Sequence, residues 1–282
     1  MVAVGFGAVV VVAVVVVVGV AVVAVVVVAV AVVVAVGGEV GVAVGVGAAV
    51  GVAVAVGTRV GGGMKDISIQ RTDEWYQARL GQLTASRFYE ATGKTKRGEY
   101  YASRDKYMSE LIAERLTMTP SQHYTSWAMQ WGIDHEDEAA EVYETAAGNT
   151  VSTVGFILHP SIAFTGASPD RFVGESGGLE IKCPETGKHL ETLETGEIDI
   201  EYYYQCMWGM VCTGRKWWDF ASYDPRFKNS LCLFVKRIDF NPSLASEMED
   251  EARKFLSDMD KKIERILLRF PSVEKQYREN WG

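Results

Sequence analysis

Three residues in the segment SPDRFVGESGGLEIKCP, Ser168 to Pro184, combine in a way that suits phosphodiester chemistry: Asp170, Glu180 and Lys182. Side chains alternate across a strand, so Glu180 and Lys182 share one face while Ile181 points to the other. The GESGG stretch between them is rich in turn formers and lets the chain fold back. A hairpin there brings Asp170 beside Glu180. Two carboxylates at that range repel unless a cation lies between them, and a hard divalent ion such as Mg2+ prefers oxygen ligands. The backbone carbonyl of Ile181 can join the set, because its side chain faces away. Lys182 then stands next to an activated water, placed to orient it or help it lose a proton for attack on phosphorus. The same letters also suit a plain strand with a Glu–Lys pair on its polar face, and on this pattern alone both readings stay open.

A second grouping suits an anion. Thr84 and Ser86 lie at the start of a short predicted helix, where unpaired backbone N–H groups and the positive dipole end favour phosphate. Arg79, seven residues before Ser86, supplies a forked cation, and Ser168, two residues before Asp170, adds a hydroxyl. Trp75, one turn before Arg79, offers a ring on which an exposed base can stack. A capped helix beside a surface arginine accounts for the same residues.

The elements that must position these groups follow from periodicity and punctuation. A helix starts at the N-cap Thr72, carries Asp73 and Glu74 in its first turn and stops at Gly81. A second runs from Thr84 to Gly93, and a third from about Ser103 to Leu116. A fourth spans Asp134 to Ala147, with Gly148 after its end. Strands are predicted at Thr150–Leu158, Phe164–Val173, Gly178–Cys183, Trp217–Tyr223 and Leu231–Phe240, with a helix over Glu201–Cys212. A last long helix, Leu244 to Phe270, repeats Met248, Phe255, Met259, Ile263, Ile266 and Leu267 at three- and four-residue steps. The tail EKQYRENWG reads as surface. Helices flanking a central run of strands imply an α/β domain with a mixed sheet. The basic loop at Thr95–Gly98, with Arg104 and Lys106, supplies candidate backbone contacts to a polyanion.

Composition divides the chain of 282 residues. Residues 1–63 are almost wholly Val, Ala and Gly, with Glu39 and Arg59 as the only charges. The uncharged run from Ala8 to Val36 is long enough to span a bilayer, but it lacks flanking Lys or Arg and an aromatic belt. It has no basic n-region and so fits no secretory signal. We expect a non-native or disordered extension upstream of a start at Met64, with a membrane segment as the competing reading. Residues 64–282 form a single domain with a sizeable core. Four cysteines without a C-x-x-C pair, set in apolar runs, imply reduced thiols and a cytoplasmic protein. The four histidines do not cluster, which argues against zinc. A net charge of −8 counts against a generic nucleic-acid binder, although only the lining of a DNA channel needs to be basic.

The ordered set WYQARLGQLTASRF, WGIDHEDEA, GASPDRF, LEIKCP, YYYQCMWGM and WWDFASYDPRF resembles the phage lambda-type alkaline exonucleases, the YqaJ-like viral recombinase family, over nearly all of residues 64–282. The resemblance implies a restriction-endonuclease-like α/β core and digestion of one strand of linear duplex DNA from 5′ to 3′, giving mononucleotides during homologous recombination. It implies two Mg2+ ions per site, with Mn2+ able to replace them. It implies a homotrimer that works on DNA ends beside a single-strand annealing protein, with no membrane partner. By position, Asp170 and Glu180 match the metal carboxylates, Ile181 the carbonyl donor and Lys182 the catalytic lysine. Glu136 matches a further acid near the metals, although an acid in the first turn of a helix is favoured anyway. Gln205 matches an active-site glutamine, with Tyr202 on the same helical face. Arg79, Ser86 and Ser168 match the 5′-phosphate pocket, joined by Thr84, and Met129 matches an apolar residue that helps part the strands. A DNA endonuclease of the same fold and a DNA-end-binding module without turnover are the alternatives.

Overall fold

The computed structural model describes residues 8–17, 23–32, 70–121 and 126–281. The chain divides into two units, residues 1–57 and 58–282. In the first, β1 (Ala8–Val17) pairs antiparallel with β2 (Val23–Val32). The expected extension falls here, but most of it, and the start at Met64, lie outside the described residues. Among the described residues no helix is long and apolar enough to cross a membrane.

The second unit carries the chemistry-bearing residues. Its elements in order are α1 (Asp73–Arg79), β3 (Leu83–Thr84), α2 (Phe88–Thr92), α3 (Ser103–Thr117), α4 (Trp127–Ala147), β4 (Val151–Ser152), β5 (Ile157–Leu158), β6 (Thr165–Ala167), β7 (Arg171–Val173) and β8 (Gly177–Lys182). Then follow α5 (Thr186–Thr195), α6 (Ile200–Thr213), β9 (Trp217–Tyr223), β10 (Leu233–Asp239), α7 (Pro242–Arg269) and α8 (Pro271–Trp281). The main sheet has the order β10-β9-β8-β7-β4. It is mixed: β8 and β9 are parallel, and the other neighbours antiparallel. A smaller sheet, β3-β6-β5, stands apart from it.

Alternation along β8 and β9 sorts the two faces. Leu179, Ile181, Ala221 and Tyr223 pack with Ala139, Ala140 and Tyr143 of α4. Trp218 and Phe220 turn to the opposite face, into the main core with Cys206, Met207, Trp208 and Met210 of α6 and the inner face of α7. The stripe of α7 buries Met248, Phe255, Met259, Ile263 and Leu267, each contributing about 1.5–3 kcal/mol by leaving water.

Several expected boundaries shift for identifiable reasons. The expected strands Thr150–Leu158 and Phe164–Val173 each split in two, because the chain changes sheet midway. The second break lies at Ser168–Asp170, and it frees Asp170 from any ladder. Thr84 does not open an α-helix; it ends β3, parallel to β6, before a 3-10 turn at Ala85–Arg87. The fourth helix begins seven residues early, where the Ser126 hydroxyl accepts from the Met129 N–H at 3.2 Å. Helix α5 is not among the expected elements, and its buried His189 anchors it: Nδ1 lies 2.8 Å from Ser222 Oγ and Nε2 2.9 Å from Leu231 O. The tail lies at the surface, as expected, with none of its residues buried, but it is ordered. It forms α8, whose Trp281 Nε1 donates to Arg115 O at 2.8 Å while the ring meets Phe164. The cysteines are free thiols, three of them buried. Burial first, then the Asp170 and Glu136 charges, push the Cys183 thiol up to about 12.

Candidate active site

The β7–β8 hairpin pairs Arg171 with Leu179, which sets Asp170 and Glu180 next along the two strands. The turn forms at Gly174–Ser176, with Gly174 at positive φ. Gly177 and Gly178 serve a different purpose from turning: a Cβ on Gly178 would lie 2.4 Å from the Trp218 ring, and one on Gly177 2.2 Å from Trp217. The glycine pair makes room for two indoles, and the close packing places β8 against β9.

Asp170 is held by the backbone. Its Oδ2 accepts from Ile181 N at 2.7 Å, so Ile181 contributes an N–H to the site in addition to the carbonyl that its outward side chain leaves available. Gln70 Nε2 donates to Pro169 O at 2.6 Å and to Val154 O at 2.9 Å, fixing the turn before Asp170. Glu180 is only 2% exposed. Its Oε1 accepts from Lys182 Nζ at 2.6 Å and from Gln205 Nε2 at 2.6 Å. Lys182 Nζ lies 5.0 Å over the Tyr202 ring, which stacks on Phe220. Residues Tyr202 and Gln205, three apart on α6, therefore bracket the Glu180–Lys182 face from above.

The electrostatics match a site built around positive charge. Burial, then the Glu180 and Glu136 charges, hold the Asp170 carboxyl well above the ordinary aspartate range. Burial also raises Glu180, against the pull of Lys182. Burial opposes the Lys182 ammonium, but Glu180 and Asp170 raise it above the usual lysine value. Among the described residues no hydrogen bond reaches Asp170 Oδ1 or Glu180 Oε2. Nor do three of the described His, Cys, Asp and Glu side chains form a ready-made cation cage. Two carboxylate oxygens and a carbonyl fit Mg2+, which keeps several waters and is held by one or two carboxylates plus substrate phosphate.

Glu136 has partners that the sequence did not disclose. Its Oε1 accepts from Arg171 Nη1 at 2.8 Å, and its Oε2 takes Arg71. Both oxygens are engaged by guanidinium groups, so in this arrangement it is an anchor for arginines. Arg171 Nη1 also donates to Asp170 O at 2.6 Å, and Nη2 pairs with Asp137. Arg171, Arg71 and Gln70 are site residues that the sequence reading missed. Only the position of Arg171, directly after Asp170, could have signalled one of them.

The anion grouping is assembled in part. Ser168 Oγ accepts from Arg79 Nη1 at 2.9 Å and from Trp75 Nε1 at 3.0 Å. The Arg79 guanidinium lies 4.2 Å over the Trp75 ring and 5.8 Å from that of Phe156. It is a half-buried group, and burial lowers its pKa from the ordinary value. Ser86 is exposed and touches Thr84 rather than Arg79, with the hydroxyls 3.3 Å apart. Thr84 is buried, its N–H donating to Tyr107 OH at 3.2 Å. Met129 is 52% exposed near the start of α4. Arg104 is not available to a polyanion: it is buried, donating to Ala91 O at 2.6 Å and to Asp258 at 2.9 Å.

The model of the YqaJ-like viral recombinase domain matches residues 74–216, from α1 to the end of α6 and just beyond. No curated protein matches the chain. Among solved structures, an alkaline exonuclease, LHK-Exo, from Laribacter hongkongensis is 42% identical over 72% of this chain and 100% of that one, with a TM-score of 0.66. The same enzyme in complex with dAMP aligns with a TM-score of 0.67 at the same identity and coverage. A phage-related exonuclease from Haemophilus somnus 129PT shares the fold, at 12% identity over 67% of this chain and 96% of that one, with a TM-score of 0.52. With half its length under the family model and a solved relative of that identity covered end to end, the chain belongs to the YqaJ-like viral recombinase family.

Proposed function

We propose that the chain is a Mg2+-dependent exonuclease that degrades one strand of linear duplex DNA from 5′ to 3′, releasing 5′-mononucleotides in phage-type recombination. The observation that carries this reading is the meeting of Asp170, Glu180 and Lys182 on one hairpin, with Lys182 on one oxygen of Glu180 and the other left open. The solved relatives support it, one being an alkaline exonuclease in complex with dAMP.

Asp170 Oδ1, Glu180 Oε2 and the Ile181 carbonyl are the groups that would hold the cation. A bound Mg2+ supplies charge to the phosphoryl oxygens and acidity to a coordinated water. Lys182 Nζ, held at Glu180 and over Tyr202, is placed to orient the attacking water and offset charge as it develops. Gln205 fixes the rotamer of Glu180, and the Ile181 N–H fixes that of Asp170. Arg79, Ser168 and Trp75 form a donor-rich pocket two residues from Asp170, suited to the 5′-phosphate. Fixing that end selects polarity by position. Assembly into a homotrimer and work beside a single-strand annealing protein belong to the same proposal.

The test is timed digestion of duplexes labelled at either end, with Mg2+ and with chelator, beside a covalently closed circle. Mg2+-dependent release of 5′-label as mononucleotide, with the circle intact and an inert Asp170→Asn, is the expected result. Cleavage of the circle, release from the 3′ end first, or a fully active Asp170→Asn would overturn the reading.

A further inference from the structure

The opening of α4 carries aromatic surface for which the chemistry above has no use. Trp127 and Trp131 lie one helical turn apart with ring centroids 5.4 Å apart and planes 25° from parallel. His135 follows one turn later, its ring 4.0 Å from that of Trp131. The Arg226 guanidinium sits 4.9 Å from the Trp131 ring. Trp127 ends this stack in the open, 66% exposed. The stack leads to the site: Glu136 follows His135, and Arg171 Nη1 joins Glu136 to the Asp170 carbonyl.

The acids of this stretch already have partners. Asp134 accepts from Gln130 at 2.8 Å, Glu138 lies 3.1 Å from His135, and Asp137 pairs with Arg171. Among the described residues, what remains free at the end of the stack is the π-face of Trp127. A second protein copy is a poor occupant for it. A stable interface needs roughly 800 Å² from each partner, whereas one aromatic side chain buries about 150–250 Å². A nucleobase is the right size for one indole face; the Arg226 guanidinium is already engaged by Asp224 at 2.7 Å, so the ring itself carries the recognition.

We propose that the exposed face of Trp127 stacks an unpaired nucleobase of DNA, making the Trp127–Trp131–His135 stack a platform for single-stranded DNA beside the cleavage site. The inference rests on the reading of the chain as a DNA exonuclease. Stacking of this kind tolerates any sequence, because every base has a π-face. Bases inside a duplex are already stacked, so the platform discriminates tailed ends from blunt ones.

The experiment uses the full chain in chelator, with Trp127→Ala and the ring-retaining Trp127→Phe. The probes are a blunt duplex and the same duplex with a short single-stranded tail carrying 2-aminopurine. Trp127→Ala should lower the preference for tailed over blunt duplex roughly tenfold and abolish the quenching of 2-aminopurine in the tail. Trp127→Phe should retain most of both. The slope of log affinity against log salt should stay unchanged, because no phosphate contact is removed. An unaltered preference, equal weakening on both probes, or a change in mass by light scattering would overturn the platform, the last assigning the face to a subunit contact. Nucleotide release by the parent protein with Mg2+ separates the two readings. Release with an unmoved preference sinks the platform alone, and tail quenching without release sinks the exonuclease reading alone.

Discussion

Replacing Lys182 by Met separates the scaffolding role of the ammonium from its chemical one. Methionine keeps the stem beside Tyr202 and removes only the charge. Glu180, 2% exposed, then loses the partner at 2.6 Å but keeps Gln205 on the same oxygen. Breaking a buried ion pair costs about 3–5 kcal/mol, and the surviving donor puts this case at the low end, about 3 kcal/mol. For a domain of this size, about 2–4 °C per kcal/mol turns that into a Tm lower by roughly 6–12 °C in chelator at pH 8. The sign with pH follows from the direction of the shift. Burial already holds the Glu180 carboxyl above its unfolded value, and losing Lys182 raises it further. A carboxyl raised on folding contributes stability below its unfolded pKa, and that contribution fades as pH rises through the folded pKa. The Tm gap between parent and variant therefore widens from about pH 4 towards pH 8. Added Mg2+ should narrow the gap by supplying the missing positive charge, while nucleotide release stays down by about 10²–10⁴-fold. Differential scanning fluorimetry across pH, paired with the digestion assay, reads both. A gap that is flat with pH, or release restored together with Tm, would refute the reasoning.

Arg79→Ala should lower the preference for 5′-phosphorylated over 5′-hydroxyl ends by about 10–100-fold, the equivalent of one charge-assisted contact, and an equal loss on both ends would count against the pocket. Glu136→Gln should destabilise by about 1–3 kcal/mol in urea unfolding, because two arginines lose a buried partner, yet reduce nucleotide release far less than Asp170→Asn. Equal inactivation by the two variants would return Glu136 to the reacting groups. Gly178→Ala should cost about 1–3 kcal/mol through overpacking against Trp218, visible as altered near-UV circular dichroism of the indoles.

The sequence made the hairpin legible because two independent signals agreed there, a period-two strand and a run of turn formers. It made α7 legible because its apolar stripe is strong and Pro271 follows its end, and α6 because Gly214 closes it. It could not show that Phe164–Val173 crosses between two sheets, since the break at Ser168–Asp170 looks like any strand containing a proline. Nor could it show that Gly177 and Gly178 answer to Trp217 and Trp218 some 40 residues later. The arginine clamp on Glu136 was hidden for the same reason. Arg71, Glu136 and Arg171 carry no periodic signature, and only the fold brings them together. Ser86, read as part of the anion pocket, pairs its hydroxyl with that of Thr84 at 3.3 Å, a contact that only the fold reveals.

The docking of Trp281 on the Arg115 carbonyl has a practical bearing on how this protein should be handled. The Arg115 side chain donates from Nε to Gly81 O at 3.0 Å, and its neighbour Glu114 accepts from Gly81 N at 2.8 Å. Gly81 is the left-handed residue that turns the chain two positions after Arg79. A fusion, affinity handle or truncation that dislodged the last helix would act, through three touching residues, on the arginine that meets Ser168. Loss of end preference after such trimming would report a loosened relay, even in a preparation whose carboxylates and lysine were untouched.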